Sequence, residues 1–303
     1  MGSSLLTNSS AMTALQTLRS ISSQLSTTQN RISTGMRVST ASDNAAYWSI
    51  ATSMRADNAA LSAVSDSLGL SAATVDTEYT ALTSVVGDKT GGLTKLQALL
   101  VEAKTAGIDR VKIQSDITQI QQQMKATADA ATFNGVNWLS ATAATGTVDL
   151  VSSFSRVGGT PTVGKITLTI ANYTLYNSAG NTGILDKVSG TASIDTIDIS
   201  ALQDTVPADM TTLDGYIAQV TTAINTVASA AADLGAVKNR ISTNTEFVKT
   251  LMDSVDRGIG QLVDADMNAE STRLQALQTQ QQLGVQALSI ANQNSQSILS
   301  LFR

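Results

Sequence analysis

The two ends of the chain share one spacing of apolar residues. Three- and four-residue steps of this kind are typical of a helix that packs along a single coiled-coil seam. The N-terminal seam is formed by Ala11, Ala14, Leu18, Ile21, Leu25, Thr28 and Ile32. The C-terminal seam is formed by Leu274, Leu277, Gly284, Leu288, Ala291, Ile298 and Phe302, if Gln281 and Ser295 fill the two gaps. We therefore predict one long helix at each end.

The polar positions of these two helices are unusual because they carry almost no charge. Residues 274–302 contain none, and Arg19 is the only charge before Arg31. Eight Gln residues in 274–302 argue against a membrane span, and an ordinary surface helix would present Lys and Glu to water. We predict a parallel or antiparallel hairpin made from both ends. It either packs within one subunit or serves as a polymerisation device that the free subunit leaves unsatisfied.

Helical periodicity continues inward from the N-terminal end. A tract beginning at 45–51 leads into a heptad run that the glycines of 87–92 interrupt. The run comprises Leu61, Val64, Leu68, Ser71, Val75, Glu78, Leu82 and Val85. Two further helices carry Leu93, Leu96, Leu100 and Ala103, and then Ile113, Ile117, Ile120, Met124, Thr127 and Ala131. The stretch FNGVNWL, 133–139, predicts a turn at Asn134-Gly135.

Helical periodicity disappears between Ser140 and Thr212, an interval that holds both prolines of the chain. Ile166, Leu168 and Ile170 alternate with threonines, which predicts a half-buried strand. Further strand residues are expected at Tyr173, Leu175, Ile194, Ile197 and Ile199. We interpret 141–210 as a small β-rich insertion.

The longest helical run follows the insertion, from Leu213 to Val255, and is predicted to end at Gly258 and Gly260. The fold class is therefore mainly α, a long coiled-coil rod formed by both arms of the chain with a small β-rich outer insertion. The predicted divisions are an N-terminal tail 1–42, N-terminal rod helices 43–140, the insertion 141–210, a C-terminal rod helix 211–259 and a C-terminal tail 260–303.

Composition narrows the classes of function. The 303 residues carry a net charge of −5 and contain neither Cys nor His. The acidic balance argues against a nucleic-acid partner, and the missing side chains exclude the usual zinc ligands and His-based triads. Residues 1–12 lack the pattern of a cleaved signal peptide. No cofactor, metal or enzymatic activity is expected, although a Ser–Lys arrangement stays open.

Two local motifs have plain structural interpretations. Asp264, Asp266, Asn268 and Glu270 suggest a calcium loop, but Ala269 and Gln275 stand where that loop needs Gly and Glu. An acidic cluster at the start of a helix explains them better. Gly258-Ile259-Gly260 lacks the third glycine of a dinucleotide fingerprint and is interpreted as a hinge.

Five segments resemble motifs of bacterial flagellins, in the family's order. They are RISTGMRVSTASDNAAYWSIATSMR at 31–55, FNGVNWL at 133–139, ADLGAVKNRI at 232–241, DADMNAESTRL at 264–274 and ANQNSQSILSLF at 291–302. SDNAAYWSIA at 42–51 is similar to the rhizobial type of alphaproteobacterial flagellin. The alternatives are a hook–filament junction protein, which tends to carry Pro where Ala45-Ala46 stand, and an extracellular coiled-coil adhesin or enzyme.

The resemblance implies a subunit that self-assembles into a helical filament for swimming motility. Both tails would form an inner tube, the rod helices an outer tube and the insertion the surface. The implied partners are other copies, possibly related flagellins, an export chaperone and a filament cap. The implied location is extracellular, in the flagellar filament, reached without a cleaved signal peptide.

The resemblance also marks two surfaces that host innate receptors sense in flagellins. Plant receptors read the segment matching 30–51, where Asp43 is kept but Asn44 and Tyr47 replace the family's Asp and Gly. The vertebrate flagellin-sensing Toll-like receptor reads the segment matching 93–101, where Lys95 is kept but Gln97 and Ala98 replace Arg and Glu. Weak or absent recognition is expected. The same substitutions are equally explained by repacking within this filament.

Overall fold

A computed structural model describes residues 8–300 of the chain except 89–90, 143–145, 158–159, 191 and 204, and excludes the side chains of 157 and 294–300. The chain divides into two compact units. Unit 1 joins 1–59 to 252–303, and unit 2 comprises 60–251. Both ends of the chain therefore belong to one unit. The five-part division into tails, rod and insertion stays a prediction.

The fold is mainly α, as predicted, with a small strand-containing insertion in the middle. The helices are α1 (Ser9–Thr34), α2 (Ala45–Val86), α3 (Gly92–Glu102), α4 (Arg110–Ala130), α5 (Pro207–Val263) and α6 (Met267–Ser300). The strands are β1 (Ser140–Ala141), β2 (Thr147–Val157), β3 (Thr160–Thr169) and β4 (Tyr176–Asn177).

The core of unit 2 is built from the predicted three- and four-residue rows. Fully buried members of these rows are Leu68, Val75, Leu82, Leu93, Leu96, Leu100, Ile117, Leu213, Val220, Val227 and Leu234. The turn from α2 to α3 depends on Gly87 and Gly92, which have φ of +66° and +69°. A Cβ on Gly87 would lie 2.1 Å from the carbonyl oxygen of Gly91, so a larger residue cannot replace it without moving the backbone.

The predicted turn in 133–139 is confirmed. Asn134 and Gly135 have φ of +50° and +78°, the left-handed pair of a type I′ turn. The backbones of Phe133 and Val136 exchange two hydrogen bonds of 2.9 Å across it. The turn leads directly to Trp138, which is buried in unit 2.

A buried carboxyl group receives the chain after this turn. Glu78 has 0% exposure, and its Oε1 accepts a 2.9 Å hydrogen bond from the backbone N–H of Trp138. Oε2 has no hydrogen-bond partner among the described residues. Burial raises the pKa of Glu78 to about 7, and the bond from Trp138 opposes this shift. The heptad row of α2 thus holds an acid that is largely protonated below neutral pH.

The insertion is less regular than predicted. β2 and β3 form an antiparallel hairpin, irregular between Val151 and Ser153, and β1 pairs with β4 in parallel. In β3, Ile166 and Leu168 are buried and the alternate residues are exposed, as predicted, although Ile170 begins a 3-10 turn.

The prediction of further strands beyond β3 is wrong for the five residues Tyr173, Leu175, Ile194, Ile197 and Ile199. Their side chains are buried, but Ile194 begins a 3-10 helix and the other four lie in turns, bends and irregular backbone. Two glutamines of α4 replace the hydrogen bonds of a sheet. Gln114 accepts from the N–H of Ile199 at 2.9 Å, and Gln121 donates to the carbonyl of Ile194 at 2.9 Å.

The predicted end of the long helix, with a hinge at Gly258 and Gly260, is also wrong. α5 runs for 57 residues through both glycines to Val263. A glycine inside a helix costs only about 0.5–1 kcal/mol relative to Ala. A Cβ on Gly258 would lie 2.8 Å from the Cε of Met54, so the glycine admits that methionine instead of breaking the helix.

Candidate functional site: the tail hairpin

Helices α1 and α6 pack against each other in unit 1, and we call them together the tail hairpin. The side-chain amide of Asn8 donates to the carbonyl of Ala291 at 3.0 Å, whereas Arg31 meets Glu270 at 3.0 Å. The start of α1 thus lies beside the later part of α6, and its end beside the beginning of α6. The helices are antiparallel, which resolves the alternative that the sequence left open.

The predicted seam lies between the two helices. Ile21, Thr28 and Leu277 are buried. The remaining described residues that were assigned to the seam are half-buried: Ala11, Ala14, Leu18, Leu25, Ile32, Leu274, Gly284, Leu288 and Ala291. The suggestion that Gln281 fills a gap is wrong, because its side chain is exposed. Ser295 and Ile298 fall outside the described side chains, and Phe302 falls outside the described residues.

Gly284 lies opposite Leu18 in the seam. A Cβ on this residue would lie 2.9 Å from Cδ2 of Leu18, so the glycine makes room for that leucine. Gly284 thus forms part of the hole on α6 into which Leu18 of α1 packs as a knob.

Charged groups gather at the base of the hairpin. Glu270 is 7% exposed, and its Oε1 lies 3.0 Å from Nη1 of Arg31 and 3.7 Å from Nη1 of Arg273. Asp266 caps α6 through its Oδ1, which accepts from the N–H of Asn268 at 2.9 Å. The acidic cluster therefore lies at a helix start, as interpreted from the sequence, and the salt bridge of Glu270 is an addition that the structure shows.

A small apolar cluster closes the same end. Val38, Ala51, Ile259 and Val263 are buried together. The backbone N–H of Arg37 donates to the carbonyl of Val263 at 2.6 Å. Sequence reasoning missed this cluster because its members come from three separate segments that share no period.

The two sides of the hairpin differ, and the sequence analysis missed this. At 100° per residue, Met12 and Leu15 of α1 lie on one flank of the seam, with Val285 on the adjoining flank of the antiparallel α6. All three are exposed. We call them the ridge. The sequence signal was weak, because Met12 and Leu15 are followed at the same spacing by the polar residues Arg19 and Ser22.

The opposite flank carries a groove of about 500 Å³ between the helices. It is lined by Thr17, Ser20, Ile21, Gln24, Gln280, Leu283, Gly284 and Ala287. Leu283 is exposed, as is Ile290 further along the same flank of α6. Uncharged side chains thus line a concave surface on one side of the hairpin, while the ridge stands on the other.

The first predicted receptor surface lies at the start of α2. Asp43 is exposed, and its Oδ2 accepts from the N–H groups of Ser39 and Thr40 at 3.0 Å. These bonds hold the pKa of Asp43 below its usual value. Asn44 caps α2 by accepting from the N–H of Tyr47 at 3.1 Å. Tyr47 stands exposed, with the Arg37 guanidinium 6.0 Å from its ring centre.

The second predicted receptor surface lies on α3. Ala98 is exposed and Lys95 is half-buried. Gln97 is engaged within unit 2, because its side-chain amide donates to Thr221 Oγ1 at 2.8 Å. This bond gives Gln97 a structural use and favours the repacking explanation for that residue.

The described residues show neither a metal site nor a membrane-spanning helix. That part of the chain contains no group of three or more acidic side chains placed to hold a metal ion. None of its helices is long and apolar enough to cross a membrane.

Comparison with known proteins agrees with the helical arms. Residues 5–144 match the bacterial flagellin N-terminal helical region, and residues 217–302 match the bacterial flagellin C-terminal helical region. The chain is 41% identical to Flagellin A of Rhizobium meliloti over 397 residues, covering 99% of this chain and 100% of the relative. It is 44% identical to Flagellin C of Rhizobium meliloti (strain 1021) over 328 residues, covering 99% of each.

A flagellin of Brucella melitensis biotype 1 is 45% identical over 308 residues, with 99% of each chain covered. These matches support the rhizobial type, and nothing in them favours a junction protein, an adhesin or an enzyme. Both helical arms match in the expected order and the relatives are covered along almost their whole length. The chain therefore belongs to the bacterial flagellin family and is a structural subunit of the flagellar filament that drives motility.

Proposed function

We propose that the tail hairpin is the polymerisation device of this subunit and that its ridge enters the groove of a neighbouring copy. The observation that carries this proposal is the unlike character of its two sides. One side presents Met12, Leu15 and Val285, and the other an open uncharged groove of about 500 Å³. A contact between unlike surfaces does not close on itself and generates an open fibre.

The hairpin needs such a neighbour because it buries little by itself. Most of its seam is only half-buried, and Thr28 occupies one of the few fully buried positions. Ordering each residue costs about 1–2 kcal/mol, which so little apolar burial does not offset. The hairpin therefore orders when neighbouring copies cover the ridge and fill the groove.

Two pairs of matched variants test the two sides. Leu15→Asp places a charge on the ridge, and Gln16→Asp places the same charge one residue away. For the groove, Leu283→Asp places the charge on its lining, and Gln286→Asp places the same charge on the exposed outer face of α6, away from both ridge and groove. Since burying an unpaired charge costs several kcal/mol, Leu15→Asp and Leu283→Asp should stop seeded growth under the electron microscope. The two glutamine variants should grow far better.

A mixture of the two blocked variants sharpens the test. The intact groove of Leu15→Asp can still receive the intact ridge of Leu283→Asp. Analytical ultracentrifugation should therefore detect a one-to-one complex in the mixture that neither variant forms alone. Normal filaments from Leu15→Asp would refute the assembly proposal.

The free subunit also needs protection for its ridge. In a tail that has not yet ordered, Met12, Leu15 and Val285 are accessible and invite association before export, and a chaperone that covers them would prevent this. We therefore include an export chaperone, together with a filament cap, among the proposed partners. A chaperone that binds the parent should bind Leu15→Asp more weakly in calorimetric titration, while binding Gln16→Asp normally.

Residues 141–210 are proposed as the outer, variable part of the subunit. The aligned lengths of the relatives range from 308 to 402 residues at 99% coverage of this chain, so the family accommodates large differences in length. Neither family region includes 145–216. A peptide tag inserted at the exposed Gly180-Asn181 should be labelled by antibody on intact filaments; an inaccessible tag would contradict the proposal.

A further inference from the structure

We propose that Met12 is an oxidation site at which peroxide-class oxidants remove free subunits from polymerisation. The inference rests on the proposed role of the ridge. It concerns the free subunit, in which Met12 is accessible, and not the filament, in which a neighbouring copy would cover it.

The environments of the methionines single out two candidates. The chain has eight Met residues and no Cys to compete for the oxidant. Among the described side chains, Met12 is 65% exposed and Met267 44%, whereas Met124 is only 2% exposed. Met36 and Met54 pack against the cluster at the base of the hairpin. Because oxidation follows exposure, Met12 and Met267 should react first.

The two exposed methionines differ in what surrounds them. Met12 lies one helical turn from Leu15 on the ridge, where the proposed contact must be dry. Met267 is the first residue of α6, next to its capping residue Asp266, and lies outside the ridge. Oxidation of Met267 should therefore leave assembly unchanged, which makes it an internal control.

The chemistry is a balanced two-electron oxidation. The thioether sulfur attacks one peroxide oxygen, the O–O bond breaks and an S–O bond forms. With hydrogen peroxide the other oxygen leaves as water after proton transfer. The product, methionine sulfoxide, replaces an apolar group with a strong acceptor. Moving that strongly hydrated acceptor out of water costs free energy and weakens the contact.

This arrangement would let assembly distinguish damaged from intact subunits. A free subunit oxidised at Met12 would be rejected at the growing end, whereas a subunit already in the filament would be shielded. Because methionine sulfoxide reductases reverse the change, rejected subunits could be restored. The oxidation state of Met12 would thus determine whether a free subunit joins the filament.

The experiment treats the purified full-length subunit with hydrogen peroxide and measures both oxidation and growth. Peptide mass spectrometry should show sulfoxide at Met12 and Met267 well before Met124. Seeded growth should slow by about tenfold or more when Met12 is fully converted, since removing a polar group from water with incomplete hydrogen bonding weakens binding on this scale. Treatment with the two reductases, one for each sulfoxide epimer, should restore growth.

Conservative variants separate Met12 from general damage. Met12→Leu keeps the ridge apolar without the sulfur and should grow equally well before and after peroxide. Met267→Leu should remain as sensitive as the parent. Normal growth of a parent fully oxidised at Met12, or equal inhibition of Met12→Leu, would overturn the inference. The oxidation inference can fail in this way while Leu15→Asp still blocks growth in the same assay. That combination would rule out the role of Met12 and leave the ridge proposal intact.

Discussion

The tail hairpin and the core of unit 2 show the same heptad spacing but reach very different burial. In unit 2, Leu68, Leu82 and Leu234 have 0% exposure. In the hairpin, Leu18, Leu25 and Leu288 occupy equivalent rows and stay half-buried. The spacing of apolar residues therefore determines which face of a helix packs. The number of packed neighbours determines how deeply that face is buried and how much it stabilises the fold. Unit 2 supplies its own neighbours, and we propose that the hairpin takes them from other copies.

Shortening one leucine in each region should give the largest contrast in the free energy of unfolding. Leu68→Ala should lower it by about 2–5 kcal/mol, because it opens a cavity in a complete core. Leu25→Ala should leave the urea midpoint of the free subunit almost unchanged, yet slow seeded growth. An equal loss of stability in Leu25→Ala would show that the hairpin is already folded in the free subunit.

The next largest effect concerns pH and is confined to unit 2. The pKa of Glu78 is about 7 when folded, against the ordinary value of 4.5. The stabilisation that protonated Glu78 adds to the free energy of unfolding is therefore fully present below pH 4.5. It falls as the pH rises to 7 and is lost above that pH. The difference of 2.5 pKa units corresponds to about 3 kcal/mol.

Glu78→Gln removes the ionisation and should flatten this part of the curve of unfolding free energy against pH. Asp66→Asn, at an exposed acid on the same helix, serves as control and should leave the slope unchanged. A slope that persists in Glu78→Gln would show that another group produces it.

A smaller change in stability accompanies a test of the receptor surface on α3. Gln97→Arg with Ala98→Glu should cost unit 2 about 1 kcal/mol, because the bond to Thr221 is lost. The affinity of the vertebrate receptor should rise by about two to four orders of magnitude, and signalling in reporter cells should rise with it. Thr221→Ala is the matched control. It removes the same hydrogen bond to Gln97 but should not raise signalling. Strong signalling by the unmodified protein would contradict the expectation.

The surface at α2 should show the smallest change in stability. Asn44→Asp keeps an acceptor for capping the helix, and Tyr47→Gly removes an exposed ring. The pair should raise the response of leaf tissue, since the glycine admits a closer approach by the receptor backbone. Asn44→Asp alone serves as control. No change with the pair would favour the repacking explanation.

Periodic features of the fold were predictable from the sequence, and features set by single contacts were not. The rows through Leu68 and Ile21 are visible because burial repeats at the helical period. The continuation of α5 past Gly258 was not predictable, because it depends on Met54 needing that space. The non-strand backbone at Ile194 and Ile199 also escaped prediction, since glutamine side chains on α4 supply its hydrogen bonds.

The candidate site divides in the same way. Its seam could be predicted from one sequence, but its two unlike sides required knowledge that α1 and α6 are antiparallel. Only that orientation places Val285 beside Leu15 and leaves Leu283 on the opposite flank. The buried acid Glu78 lay within a predicted row, yet its raised pKa comes from its burial in the folded core, and its Oε1 accepts a hydrogen bond from Trp138, which is 60 residues away.

Amide hydrogen exchange of the free subunit and of the assembled filament tests the central claim most directly. Unit 2 provides the internal reference, because peptides containing Leu82 should be protected in both states. Peptides containing Leu18 or Leu288 should exchange freely in the free subunit and become strongly protected in the filament. Protection of Leu18 and Leu288 equal to that of Leu82 before assembly would contradict the account.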